Sequence, residues 1–169
     1  MNTVTEAPAR TARRGFDSLE NETHLESLPV RGELPPWLQG SLLRTGPAQW
    51  DVGARSVNHW FDGLAMLHRF SFADGTVTYV NRFLRSDSYC EAAVKGSLAR
   101  GEFATDPCRT LFQRVAAVFS PKLTDNCNVS VNKLAGEVVA YTETRMPIRF
   151  DPDTLNALGL YRYDERIKG

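Results

Sequence analysis

From Leu64 the chain alternates along one strand. Leu64, Met66, His68, Phe70 and Phe72 share a face, with Leu67 the one large apolar residue opposite. A period of two marks a half-buried β-strand. Ala73-Asp74-Gly75 then turns the chain, and Val77, Tyr79 and Phe83 continue on the return strand. Asp-Gly is a strong hairpin signal because both central positions of a tight hairpin turn need positive φ. Two further hairpins follow. Residues 126–143 read as two strands around a turn at Ala135-Gly136-Glu137, and residues 147–162 as two strands around Asp151-Pro152-Asp153. Upstream, Pro29, Pro35, Pro36 and Pro47 punctuate turns around one short strand at 41–44, with Trp37 and Leu38 expected to anchor inward.

Between the first and second hairpins the pattern turns helical. Residues 91–99 suit a short helix. Asp106-Pro107 makes a natural helix start, after which Leu111, Phe112, Val115, Ala116, Val118 and Phe119 recur at helical spacing until Pro121. Residues 1–27 are polar and aperiodic and are expected to form a disordered or extended tail, leaving 28–169 as the folded part. Successive antiparallel hairpins of similar length suit the blades of a β-propeller. The chain has strands for about two blades, whereas an intact propeller needs at least four. The fold class is therefore mostly β, a partial propeller with a small helical insertion, its last blade open at an edge and on an apolar face.

Composition narrows the partners. The 169 residues are 42% hydrophobic and 24% charged with zero formal net charge, so nucleic acid is not an expected partner. Cys90, Cys108 and Cys127 form no CxxC pair, and without an apolar leader in the first twenty residues they read as free thiols in a reducing compartment. A cytoplasmic location follows, with membrane association left open. No run of about eighteen apolar residues exists to span a bilayer. There is no GxSxG elbow, no GxGxxG and no P-loop, so nucleotide and serine-hydrolase chemistry have nothing to rest on.

Five segments in order carry a family resemblance: Gly40-Ser41-Leu42-Leu43-Arg44-Thr45-Gly46-Pro47; His59-Trp60-Phe61-Asp62-Gly63 with Leu67-His68-Arg69-Phe70; Thr105-Asp106-Pro107-Cys108; Thr124-Asp125-Asn126-Cys127-Asn128-Val129; and Tyr141-Thr142-Glu143-Thr144. Together they resemble the opening of the carotenoid cleavage oxygenases, from about Leu28 to the end. The resemblance implies a seven-bladed propeller with Fe(II) on its axis, held by four histidines. It implies the addition of O2 across a conjugated double bond of a carotenoid or apocarotenoid, giving two carbonyl products. The isomerohydrolase branch of the family, which cleaves and isomerises a retinyl ester, shares the same segments. The chain has only His24, His59 and His68, and no TAHPH-like motif after its Thr-Glu-Thr segment. The expectation is an amino-terminal part of such an enzyme, about its first third, inactive alone, with the iron ligands beyond Gly169. A propeller-derived binding module without catalysis is the alternative from another class.

Within the resemblance, Glu143 matches an acid that accepts a hydrogen bond from the far nitrogen of an iron-bound imidazole. A ligating histidine needs that N–H held, and a carboxylate holds it while raising ligand basicity. Read from the residues alone, a strand Glu is more often a solvated one. His59 and His68, nine apart, fit neither a helical nor a strand metal pair, and read as structural histidines. Phe61, Asp62 and Gly63 read as a structural motif: a tight turn in which Gly63 supplies positive φ and Asp62 caps backbone N–H groups. Leu111, Phe112, Val115 and Phe119 form an apolar helix face flanked by Arg109, Arg114 and Lys122. Such a face lies in a membrane interface or packs on the protein body. An enzyme that draws a water-insoluble substrate from lipid would use it for entry. No catalytic residue and no metal ligand is assigned in this chain.

Overall fold

The computed structural model describes residues 14–107 and 122–163. In chain order these form β1 (His24–Leu25), β2 (Gly40–Gln49), β3 (Asp51–Val52), β4 (Arg55–Ser56), a 3-10 turn at Trp60–Asp62, β5 (Leu64–Ala73) and β6 (Thr76–Phe83). Helix α1 (Asp87–Lys95) then leads to β7 (Ser130–Leu134), β8 (Glu137–Tyr141), β9 (Ile148–Phe150) and β10 (Ala157–Leu160). The long strands make two antiparallel four-stranded sheets, ordered β1-β6-β5-β2 and β10-β9-β8-β7, and β3-β4 is a small separate ribbon. Each four-stranded sheet is one propeller blade. The blades meet through their first long strands, β2 and β7.

All three expected hairpins are present, and their turns explain why. Asp74 (φ 48°) and Gly75 (φ 72°) carry the paired positive φ values of a tight hairpin turn, and Ala135 (φ 49°) with Gly136 (φ 87°) repeats the device. The third turn uses a side chain instead. An Asp151 carboxylate oxygen accepts the N–H groups of Asp153 and Thr154 at 3.0 and 2.7 Å, folding the backbone over itself.

Several expectations change in detail. β2 runs for ten residues, not four, because it pairs with β5 along its whole length, from Gly40 opposite Phe72 to Gln49 opposite Leu64. Pro47 is tolerated within it because β2 ends its sheet and the register shifts between Pro47 and Gln49. Trp37 is exposed, not anchored, and Leu38 is only half-buried. Helix α1 starts at Asp87, four residues before the expected Glu91. Ser86 caps it by accepting the Tyr89 N–H, and Asp125 takes the first-turn N–H groups of Asp87 and Ser88 at 2.8 Å each. The expected strand around Glu143 stops at Tyr141. Residues 18–28 run extended along the first blade: Leu19, Asn81 and Leu28 donate backbone bonds to Ala48, Thr23 and Val77, and β1 pairs with β6. The start of the expected tail and the expected helix face with Leu111, Phe112, Val115 and Phe119 lie outside the described residues. Among the described residues no helix is long and apolar enough to cross a membrane.

β5 is buried on both faces near its start, which the alternation alone does not foresee. The face of Ala65 and Leu67, expected to be the minor one, packs into the largest core cluster, with Leu84, Cys127, Ala140, Ile148, Phe150 and Leu155 between the blades. The opposite face places Met66 against Ala48 and Phe83, and Leu64 against Val52 and Ala92 of α1. A strand covered by a neighbouring blade on one side and a helix on the other has no solvent face to mark with polar residues.

Gly63 corrects a further expectation. Its φ is −60°, open to any residue. It is glycine for lack of room, since a Cβ there would lie 2.9 Å from both the Pro47 Cβ and the Trp50 Nε1. Gly63→Ala is expected to lower stability by about 1–3 kcal/mol, the usual cost of forcing a methyl into a packed site. Urea denaturation measures this, and an unshifted midpoint would show that the turn has slack.

Candidate functional site

The site begins where backbone pairing fails. Residues 124–128 cross between the blades with no strand partner, yet Thr124, Asp125, Asn126, Cys127 and Asn128 are all buried. Buried polar groups must find partners. Asn126 accepts the Ala65 N–H at 2.8 Å through Oδ1 and donates to the Gly63 carbonyl at 3.0 Å through Nδ2. The Asn128 amide donates to the carbonyls of Gly63 and Phe61 at 2.9 and 2.6 Å. The Thr45 hydroxyl donates to the Cys127 carbonyl at 2.8 Å. The two asparagines thus hold the Phe61–Gly63 turn from inside.

Asp62 holds it from the other side. Its carboxylate, fully buried, accepts the Ala104 N–H at 3.1 and 3.2 Å and the Thr105 hydroxyl at 2.6 Å. Capping of N–H groups was expected of Asp62, but within its own turn. Its partners instead lie some forty residues on. Asn58 reinforces the link, donating through its backbone N–H to Thr105 Oγ1 at 2.7 Å and through Nδ2 to the Ala104 carbonyl at 3.2 Å. The loop at 101–106 is thereby fastened to the turn, and their rings meet. Phe61 lies 5.6 Å from Trp60 and 5.9 Å from Phe103 between centroids, both edge-on, and His59 lies 5.0 Å from Phe103.

These rings form one wall of an open cavity of about 400 Å³. Trp60, Phe61 and Phe103 supply the aromatic side, Leu123 and Val129 add apolar surface, and Arg44, His68, Glu102, Lys122 and Glu143 bring charge and polarity. Glu143 occupies an exposed bend just beyond β8, and its carboxylate makes no hydrogen bond or ion pair among the described residues. The bend is held by the neighbouring Thr144 hydroxyl, which donates to the Thr124 carbonyl at 2.6 Å. Of the residues singled out from sequence, Phe61, His68, Lys122 and Glu143 reach this cavity. Asp62 and Gly63 support it from behind.

The titratable groups around the cavity differ. Burial, aided by the Arg44 charge, pulls the His68 imidazole down to about 4, and its Nδ1 lies 2.8 Å from the Tyr79 hydroxyl. Burial pushes the Glu102 carboxyl up to about 7. The charges of Asp62 and Asp125 add to this, against hydrogen bonds from Thr124 (2.8 Å) and Asn126. Behind the wall, Arg100 pairs with Glu91 at 2.9 Å, Asp87 at 3.1 Å and Asp125 at 3.6 Å, tying α1 to the crossing segment. Cys90 and Cys127 are free, as expected, and burial pushes the Cys127 thiol up to about 12, which leaves it unreactive. His24 faces Glu26 at the surface, and His59 accepts the Phe61 N–H through Nδ1 at 3.2 Å. Among the described residues no group of three His, Cys, Asp or Glu side chains could hold a metal ion.

Sequence reasoning did not single out Glu102, Phe103, Thr105 or the asparagine pair as site residues. The one available signal was the polar run Thr124-Asp125-Asn126 just ahead of a strand, which is unusual for a segment leading into a core.

The two antiparallel blades frame a partly aromatic cavity and form part of a β-propeller, a fold that solved structures share. The Synechocystis apocarotenoid oxygenase superposes with a TM-score of 0.80 at 30% identity, covering 90% of this chain and 32% of that one. A cobalt-substituted form of the same enzyme superposes at 0.78. Residues 16–169 match the family model described as retinal pigment epithelial membrane protein, and the chain belongs to that family. Its relatives include the mitochondrial carotenoid-cleaving dioxygenase of Pongo abelii, 43% identical over 76% of this chain and 25% of that protein. The beta,beta-carotene 15,15'-dioxygenase of Gallus gallus is 39% identical over 86% of this chain and 30% of that protein. The chain spans between a quarter and a third of the length of these relatives.

His68 is expected to stay neutral in the folded protein down to about pH 4. Its lowered value means the unfolded chain binds the proton first, so this group favours the fold above about pH 6.5, and that contribution is lost as pH falls toward 4. NMR titration of the imidazole measures it directly. A midpoint above 6 would show that the side chain is solvated.

Proposed function

We propose that this chain forms one wall of the substrate cavity of an Fe(II)-dependent enzyme that cleaves a conjugated double bond of a carotenoid or apocarotenoid with O2. The observation that carries the reading is the cavity between the blades, where an aromatic wall and the Glu143 carboxylate, without a partner among the described residues, face one space. Flat rings at fixed positions suit a rigid polyene, which offers apolar surface and π-faces but almost no hydrogen-bonding groups. The protein named in the cobalt-substituted structure holds a metal, which supports a metal-dependent family chemistry.

The described residues do not supply a ligand set for iron. In this reading the ligating histidines belong to the rest of a family-length, seven-bladed protein. The metal would supply the chemistry that makes O2 reactive toward a closed-shell alkene. This chain's residues would do other work. Trp60, Phe61 and Phe103 would stack on the polyene and keep water from it, the two asparagines and Asp62 would keep those rings in place, and Glu143 would accept a hydrogen bond from a ligating imidazole. The apolar face of Leu111, Phe112, Val115 and Phe119 would lie against lipid as a peripheral membrane contact and admit the substrate.

The reaction joins one alkene and one O2 into two carbonyls, so both oxygen atoms enter product. Full-length protein turning over a carotenoid under isotopically labelled O2 is expected to give two labelled carbonyl products by mass spectrometry. Turnover of a retinyl ester with no uptake of O2 would instead assign the isomerohydrolase chemistry. Glu143→Gln in the same protein is expected to lower metal occupancy or turnover by about 10–100-fold with the fold intact. Unchanged occupancy and rate would make Glu143 an ordinary surface residue. Phe112→Asp with Phe119→Asp is expected to reduce flotation with liposomes. A lowered melting temperature with flotation intact would place that face in the core.

A further inference from the structure

Glu102 has no role in the reading above, although it lines the cavity beside Phe103. Three carboxyls meet behind and within this wall, and their donors are unequal. Asp62 takes a backbone N–H and a hydroxyl at 2.6 Å, with the turn built around it. Asp125 takes the N–H groups of Asp87 and Ser88 at 2.8 Å each and faces Arg100 at 3.6 Å. Neither lines the cavity. Glu102 does, and among the described residues its carboxyl has no cation or backbone N–H, only the Thr124 hydroxyl at 2.8 Å and the Asn126 amide. Of the three it is the one least equipped to hold a negative charge, and it is the one placed where a ligand would lie. The other charged groups of the cavity, Arg44, Lys122 and Glu143, are exposed and solvated.

A half-buried carboxyl that holds its proton up to about pH 7 is, below that pH, a hydrogen-bond donor set in a partly aromatic wall. A hydrocarbon polyene offers it nothing to bond, and a polyene ending in a carbonyl, ether or ester oxygen does. We propose that Glu102 is a specificity-determining residue that favours polyenes bearing an acceptor oxygen, by donating its carboxyl proton to that oxygen. This rests on the polyene-binding reading of the cavity and extends it to a substrate class, oxygenated in preference to pure hydrocarbon.

The test is binding to the full-length protein, read by quenching of tryptophan fluorescence, since Trp60 lines the same cavity. Two probes of matched shape are compared: methyl retinoate, whose ester can only accept a hydrogen bond, and axerophtene, the corresponding polyene without oxygen. The expected result at pH 6 is about fivefold tighter binding of the ester, the scale of one neutral hydrogen bond. That preference is lost as pH rises through about 7, where Glu102 gives up its proton. Glu102→Leu abolishes the preference at pH 6, and Glu102→Gln, which keeps an N–H donor that does not titrate, retains it at pH 6 and pH 8.5 alike. The proposal is overturned if the native protein shows no preference at pH 6 or one that does not vary with pH. It is overturned equally if Glu102→Leu weakens both probes in proportion, as a purely structural residue would, or if the native protein binds neither probe. Should Glu102→Leu fail to fold, the native pH profile and Glu102→Gln decide the matter. Because the readout is binding, a protein that passes this test yet cleaves no carotenoid would refute the proposed reaction and leave the assignment of Glu102 standing.

Discussion

The fold and its cavity depend on two buried asparagines. Where the crossing segment at 124–128 runs between the blades, the carbonyls of Phe61 and Gly63 and the N–H of Ala65 are met by side chains in place of a strand. Asn126 and Asn128 supply the missing donors and acceptor. A buried peptide group left unpaired costs about 1–3 kcal/mol, and here several lie within a few residues of one another. The amide is the right side chain for this task because it both donates and accepts without bringing a charge into the core. With the asparagines in place, the turn at Trp60–Asp62 has one position, and that position sets the aromatic wall.

Rigidity then spreads by shared partners. Asp62 reaches from the turn to Ala104 and Thr105, and Thr105 is reached in turn by Asn58. Thr124 receives Thr144 on its carbonyl and gives its own hydroxyl to Glu102. Arg100 and Asp125 join α1 to the same segment. Phe61 and Glu102 are each bonded to a buried anchor, and Phe103 and Glu143 each adjoin a residue that is, which is how a binding surface on loops attains the precision of one on strands. The positions of Phe61, Phe103, Glu102 and Glu143 are therefore coupled through a single polar seam.

The charge arrangement carries a similar logic. Acids near the seam are either supplied with donors, as Asp62 and Asp125 are, or pushed toward neutrality, as Glu102 is. In the proposed enzyme such a wall meets the demands of a polyene: apolar rings for its length, a proton for an oxygen at its end, and a carboxylate, Glu143, kept free for a partner outside the described residues. Its relatives are named as carotenoid-cleaving dioxygenases, an activity in keeping with this division of surfaces.

What was legible in the amino-acid order is whatever local chemistry decides. The three hairpins could be read because Asp74-Gly75, Ala135-Gly136 and Asp151 each specify a turn within a few residues, and the family segments could be read because they are contiguous. Glu143 could be singled out from its Thr-Glu-Thr segment and lines the cavity, although its strand ends two residues earlier than expected. The rest depends on partners distant in sequence. The full length of β2, the early start of α1 and the double burial of β5 come from pairing with β5, from Asp125 and from the second blade. The closeness of Gly63 to Trp50 and the forty-residue reach of Asp62 have no local signature. Glu102 is the clearest case. By itself it is one acid among twenty acidic residues, and its raised pKa and place in the cavity exist only once the fold has desolvated it and brought Asp62 and Asp125 near it, because desolvation and the field of neighbouring charges are properties of the assembled fold.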